Sequence, residues 1–289
     1  MLAQRCRPTC SAPLAGSMGR RAAALTFVDR FVPNGTVLGL GPGDMSTMVI
    51  QEVGRRLASG SLKGVSGVPA CDVAAHEAAF HGVPLLPESS AAQVLVADAD
   101  MLDADANAAL LGCTWVPRQP DIPRLLAVAA QAPRLVLLTD SSRVVKRLNG
   151  ALPVWLDAEG WEESAEELVG VGGEGGRRVT QGQGAQKPVA VDDIFLGDAE
   201  LWRRPSSVED EQDPRGGDYP YVSASGHSIV DIRFYEGLKL YGEDEPYGKI
   251  VEEMAGVVGL VAHGLVIGRA AAAVVARPGD QGPQVIEFA

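Results

Sequence analysis

Aromatic side chains are scarce in this 289-residue chain, at 5% of all residues, and lysine occurs five times against twenty arginines. There are four cysteines, Cys6, Cys10, Cys71 and Cys113, with no C-x-x-C spacing, which excludes a zinc ribbon or finger. Two of them lie near the N-terminus, and the two that remain are scattered thiols suited to a reducing compartment. No Gly-Lys-Ser or Gly-Lys-Thr occurs, so a Walker phosphate loop is excluded. A membrane span needs about 20 mostly apolar residues. The most apolar region, residues 256 to 276, is broken by His263, Gly264, Gly268 and Arg269, and reads as two buried strands around a turn. A basic face is also missing. The net charge is −12, and residues 157 to 218 carry −10 of it. That distribution argues against nucleic acid, whose phosphates need clustered cations, and reads as a solvated acidic surface.

What remains is a chain long enough for a full core, with 46% hydrophobic and 21% charged residues. Residues 1 to 28 hold four arginines (Arg5, Arg7, Arg20, Arg21) and no acid. That composition fits an organellar transit peptide as well as a short tail, and points to a plastid, with mitochondrion or cytoplasm as alternatives. Apolar spacing predicts helices over 22–31, 48–57, 73–80, 122–130, 161–169 and 247–254. Short apolar runs predict strands at 37–40, 64–68, 83–86, 94–96, 135–138, 257–261 and 271–275, and a hairpin around Ser225-Gly226. Strands alternating with helices imply an α/β fold: a Rossmann-like, doubly wound, mostly parallel sheet with a second, smaller α+β (ferredoxin-like) domain. The expected divisions are a leader at 1–19, the Rossmann-like domain at 20–152 plus 268–289, and the small domain at 153–267 with acidic, Gly-rich insertions. The stretch 170–186 reads as a flexible Gly/Gln segment.

Chemistry is sought first in LGLGPGDMST, residues 38 to 47. Glycines after a strand let backbone N–H groups approach an anion at a helix start. Gly39, Gly41 and Gly43 supply the glycines, and Ser46 or Thr47 would cap the helix. Against this, Asp44 repels a phosphate and Pro42 lacks an N–H. The same glycines also serve a strand-to-helix turn that needs tight packing. Asp98, Asp100, Asp103 and Asp105 follow a strand as an acidic run, read as a solvated loop, since no calcium-loop pattern fits. His76, His81, His227 and His263 show no order that would make a nucleophile triad. Trp115, Trp155, Trp161 and Trp202 read as packing residues.

The stretches NGTVLGLGPG, GVPACDVAAHEAAFHGVPL, QVLVADADMLDADANAALL, RLVLLTDSSRVVKRLNGALPV, GHSIVDIRF and EMAGVVGLVAHGLVIGRAAAAVV occur in series from about Arg21 to Phe288. Together they resemble ribose-5-phosphate isomerase of the A type, a relative of the glucosamine-phosphate deaminase and CoA-transferase group. The resemblance implies interconversion of ribose 5-phosphate and ribulose 5-phosphate in the pentose phosphate pathway, with no metal and no cofactor. A carboxylate carries the proton between neighbouring carbons, and a lysine with backbone donors stabilises the oxyanion.

Residue by residue, this chain departs from that pattern. In the family loop G-x-G-T-G-S-T, Pro42 stands at the first Thr, Asp44 at Ser and Met45 at the second Thr. Ala70 and Cys71 stand where hydroxyl residues are usual. D-G-A-D-E becomes Ala97-Asp98-Ala99-Asp100-Met101. The K-G-G-G and R-E-K motifs are missing. Arg124 matches the arginine and Leu125 replaces the glutamate. Residues 89 to 158 hold no glutamate and one lysine, Lys146. D-x-S-K becomes Asp140-Ser141-Ser142-Arg143, and arginine is not a like-for-like substitute for lysine. The expectation is a catalytically degenerate isomerase-like protein with a structural, regulatory or ligand-binding role, and a protein partner or homo-oligomer. The alternative is an active, divergent isomerase with Asp98 or Asp100 as base. Its phosphorylated sugar would be gripped by Gly41, Gly43, Ser46, Thr47 and Arg143. A third possibility is a sensor of another phosphorylated metabolite. Neither nucleic acid nor a membrane is expected as a partner.

Overall fold

The computed structural model describes residues 16–114, 120–169, 199–234, 236–279 and 281–288. Most of the expected leader, the Gly/Gln-rich stretch 170–186, Trp115 and Tyr235 lie outside the described residues. In chain order the first elements are α1 (Ser17–Phe31), β1 (Val37–Leu40), α2 (Asp44–Ser59), β2 (Ser66–Pro69), α3 (Asp72–Phe80) and β3 (Val94–Asp98). Next come β4 (Met101–Asp103), β5 (Ala108–Leu110), α4 (Ile122–Gln131), β6 (Leu135–Asp140) and β7 (Val144–Val145). The chain continues through β8 (Gly150–Leu156), α5 (Trp161–Val169), β9 (Ala199–Arg203), β10 (Ser228–Phe234), α6 (Tyr247–Met254) and β11 (Leu260–His263). It ends in β12 (Leu265–Ile267), β13 (Ala270–Ala276) and β14 (Gln284–Glu287).

Two compact units emerge. Residues 149–261 form the smaller one, and the rest of the described chain forms the larger. The large unit is built on a sheet of order β14-β13-β6-β3-β1-β2. β2, β1, β3, β6 and β13 run parallel, and β14 is an antiparallel edge. β6 is buried along its whole length, as a strand covered on both faces must be. From β1 the chain steps to β2 on one side and to β3 and β6 on the other. A switch of direction lies between β1 and β3, and the loops there diverge to leave a crevice at the strands' C-terminal ends. A second sheet of the large unit, of order β12-β5-β4-β7, folds back from the ends of β3 and β6. In the small unit the order is β11-β8-β10-β9. There the wholly buried Arg204 is paired with Asp231 and lies 5.6 Å from the ring centre of Trp155.

α1 begins five residues before the expected position, and its Ala23, Ala24, Phe27, Val28 and Phe31 face the core at helical spacing. α2 begins at Asp44, so Ser46 and Thr47 lie inside its first turn and do not cap it. Residues 83–86 do not form a strand. Leu85 makes only a single bridge to Gly67, because Pro84 has no N–H to extend a ladder. The region 256–276 holds three strands rather than two. The expected hairpin around Ser225-Gly226 is reduced to one bridge, Val222 to Ser228, ahead of β10.

α1 and α2 are tied by charge as well as packing. Glu52 on α2 accepts from Arg55 at 2.8 and 2.6 Å and from Arg56 at 2.6 Å, while Arg56 reaches Asp29 on α1 at 2.6 Å. The Arg55 hydrogen bond, followed by that of Arg56, holds the Glu52 carboxyl at about 2, against a usual 4.5. A carboxyl lowered in this way stabilises the fold above its unfolded value and loses that contribution as pH falls from about 4.5 towards 2. Glu52→Gln is therefore expected to cost about 1–2 kcal/mol at pH 7 in urea unfolding, with the difference from the parent shrinking as pH falls from about 4.5 towards 2. A constant difference across that range would show that the ion pairs are not its source.

Candidate functional site

The crevice at the switch point is a cavity of about 130 Å³ within the large unit. Much of its lining comes from the C-terminal ends of strands, where parallel sheets place ligand sites. Gly41, Pro42 and Gly43 follow β1, and Cys71 follows β2. Asp98, Ala99 and Asp100 come from the end of β3, and Asp140 and Arg143 from the end of β6. Arg20 of α1, Asp44 and Thr47 of α2, and Thr114 complete the polar lining.

The glycine loop owes its composition to contact with β3. A Cβ on Gly41 would stand 2.2 Å from the Val96 carbonyl oxygen. A Cβ on Gly43 would stand 2.0 Å from the Asp98 carboxyl carbon, and Gly43 also takes a φ of +129° that side chains resist. The tight-packing reading of these glycines therefore describes this loop.

Asp98 holds the start of α2. Its Oδ2 accepts the Met45 N–H at 2.8 Å, and its Oδ1 accepts the Ser46 N–H at 2.8 Å and the Ser46 hydroxyl at 2.7 Å. It thus caps α2 from a strand, satisfying N–H groups that have no partner within the helix. Burial pushes its carboxyl up to about 7, against the pull of these three donors, and the nearby Asp44 charge adds to the rise. Two residues on, Asp100 accepts the Cys113 N–H at 2.8 Å and the Thr114 hydroxyl at 2.5 Å, and pairs with Arg143 at 3.4 Å. Asp103 is buried and accepts the Ala106 N–H at 3.1 Å. The reading of this acidic run as a solvated loop is corrected: only Asp105 is exposed. The other three carboxylates close turns in which backbone donors need acceptors.

Of the predicted site residues, Gly41, Gly43, Thr47, Asp98, Asp100 and Arg143 meet at this one cavity. Ser46 is fully buried, its hydroxyl committed to Asp98. Arg124 pairs with Asp72 at 2.7 Å and Glu88 at 2.6 Å, and Leu125 is buried. Sequence reasoning missed Arg20, Thr114 and Asp140 as lining residues. The available signal was positional, since Asp140 ends a parallel strand that is buried along its whole length. Cys71 lines the cavity with its thiol pushed up by burial. Among the described residues, the lining offers four carboxyls (Asp44, Asp98, Asp100, Asp140) and two guanidiniums, with no lysine and no glutamate. Among the described residues no group of three or more His, Cys, Asp or Glu is placed to hold a metal ion.

Residues 66–280 match the family model described as ribose 5-phosphate isomerase A (phosphoriboisomerase A). A ribose-5-phosphate isomerase A from Synechococcus sp. (strain RCC307) is 33% identical over 60% of this chain and 71% of its own length. One from Roseiflexus sp. (strain RS-1) is 28% identical over 89% of this chain and 92% of its own. Among solved structures, ribose 5-phosphate isomerase from Plasmodium falciparum superposes with a TM-score of 0.72, covering 94% of this chain and 98% of that one at 19% identity. A D-ribose-5-phosphate isomerase solved in complex with phospho-erythronic acid superposes with a TM-score of 0.70 over the same shares, also at 19% identity.

The Asp98 carboxyl, at about 7 in the fold against a usual 3.8, favours the folded state when protonated. Its contribution is fully present below about pH 4 and is lost as pH rises through 7. Asp98→Asn cannot titrate, so its stability should fall less than the parent's between pH 4 and 7.5 in denaturant titrations. Parallel pH profiles for the two proteins would contradict this.

Proposed function

The chain belongs to the ribose 5-phosphate isomerase A family, and from that premise we propose that it is a member that has lost the isomerase chemistry and keeps the fold for a ligand-binding, regulatory or structural role. The observation that carries this reading is the cavity lining, which among the described residues contains neither a lysine nor a glutamate. Moving a proton between adjacent sugar carbons needs a positioned base, and the developing oxyanion needs a donor aimed at it. Here the two carboxylates nearest the sheet's switch point are already engaged. Asp98 is fixed by three donors and Asp100 by three more, Arg143 among them.

One observation favours a second reading, an active but rearranged isomerase. Asp98 near 7 has the proton affinity of a general base tuned to neutral pH. Its engagement at the start of α2 weighs against that role, because a base must be able to reach the substrate's proton.

A coupled assay with ribose 5-phosphate separates the two. Loss of a general base costs about 10²–10⁴-fold and loss of an oxyanion donor about 10²–10³-fold. Turnover is therefore expected at least about 10⁴-fold below that of the Roseiflexus relative assayed in parallel. A rate within about a hundredfold of the relative, lost in Asp98→Asn or Asp100→Asn, would establish the second reading instead.

A further inference from the structure

The turn between β1 and α2 has the shape of an anion cradle, and it is already filled. Two glycines bring the backbone close to β3, and the first N–H groups of α2 converge on one point with the Ser46 hydroxyl. The group at that point is the Asp98 carboxyl, whose two oxygens take all three hydrogen bonds at 2.7–2.8 Å. It is pressed so closely against Gly43 that a single added carbon there would overlap it at 2.0 Å. The two described guanidiniums of the cavity each have a carboxylate of the chain nearby. Arg143 pairs with Asp100 at 3.4 Å, and Arg20 lies 3.7 Å from Asp44. Asp140 adds a further carboxyl to the lining.

We propose that Asp98 is the specificity-determining residue of this cavity: its carboxylate occupies, from within the chain, the position a ligand's phosphate would take, and so leaves the cavity to ligands without a phosphate. The proposal rests on reading the cavity as the ligand site of an isomerase-fold chain. A phosphate entering the wild-type loop would have to displace a carboxylate held by three short hydrogen bonds, while facing the negative charges of Asp44, Asp100 and Asp140. Charge-assisted hydrogen bonds are the strong ones, and a tethered acceptor competes at high local concentration. Substitution from Asp to Gly empties the position while leaving the Met45 N–H, the Ser46 N–H and the Ser46 hydroxyl in place. Asp98→Asn, of nearly the same size, leaves it occupied.

The test is binding of inorganic phosphate and of ribose 5-phosphate to the full chain, by equilibrium dialysis and by amide chemical shifts of Met45 and Ser46. The wild type and Asp98→Asn are expected to show no saturable binding at millimolar phosphate. Asp98→Gly is expected to bind at least about tenfold more tightly than the wild type, with the two amide signals moving. Asp98→Ser serves the same purpose should the glycine variant fail to fold, and circular dichroism establishes folding for each. Wild-type binding equal to that of the shortened variants, or a folded shortened variant that gains no affinity, would overturn the assignment. Isomerase turnover by the wild type would instead overturn the functional reading, so the two failures are distinct. A gain of binding cannot be produced by misfolding.

Discussion

The first turn of α2 presents N–H groups that no residue of the helix can satisfy, and the carboxylate that satisfies two of them comes from a strand more than 50 residues further along the chain. This contact sets much of the geometry around it. It locks α2 to β3 across the switch point of the sheet, so that the ends of β1 and β3 are held side by side. It requires glycine at 43, because no side chain fits between the loop and the Asp98 carboxyl. It also places a negative group at the point where the backbone is most receptive to anions. A helix start, a glycine and an aspartate thus form one unit, and the character of the cavity follows from which anion that unit holds.

The second carboxylate extends the same logic. Asp100 turns the chain out of β3 into the β4–β5 segment and gathers the backbone of Cys113, the hydroxyl of Thr114 and the guanidinium of Arg143. Its role is to organise the loops from β5 and β6 around the cavity. Two carboxylates two residues apart, on one strand end, therefore position opposite walls of the crevice. Burial of such groups is tolerated because each is met by several donors, the condition under which a low-polarity interior accepts charge.

Much of the large unit was legible in the sequence, because β1, β3, β6 and β13 are apolar runs that a sheet covered on both faces demands. The two- and three-residue strands β4, β5, β7 and β12 were not, since so short a segment carries no periodicity. β8 was missed for a different reason: Pro153 lies within it, in a strand flanked on both sides by β11 and β10, where proline normally argues against a strand. Gly41, Gly43, Asp98, Asp100 and Arg143, singled out from residue type and order, line one cavity. Their pairings were not, because the contact of Gly43 with Asp98 and that of Asp100 with Thr114 and Arg143 exist only after the sheet has assembled. The expectation that Ser46 would meet a ligand failed at the same step, when its hydroxyl turned to a carboxylate of the chain.

The charge pattern of the cavity follows from the same contacts. In the resemblance that the family motifs describe, the strand that corresponds to β3 ends in D-G-A-D-E. Here the first acid is replaced by Ala97, and a carboxyl appears one residue later, at Asp98, where glycine is usual. Successive strand residues point to opposite faces of a sheet, so a shift of one residue redirects a side chain completely. Moved by that one step, the carboxyl leaves the face of its predecessor and meets the glycine loop, where the start of α2 receives it. Two neighbouring departures from the motif, Ala97 and Asp98, therefore act together. Together they leave Ala97 where the family motif has an acid and seat a carboxyl against the first N–H groups of α2.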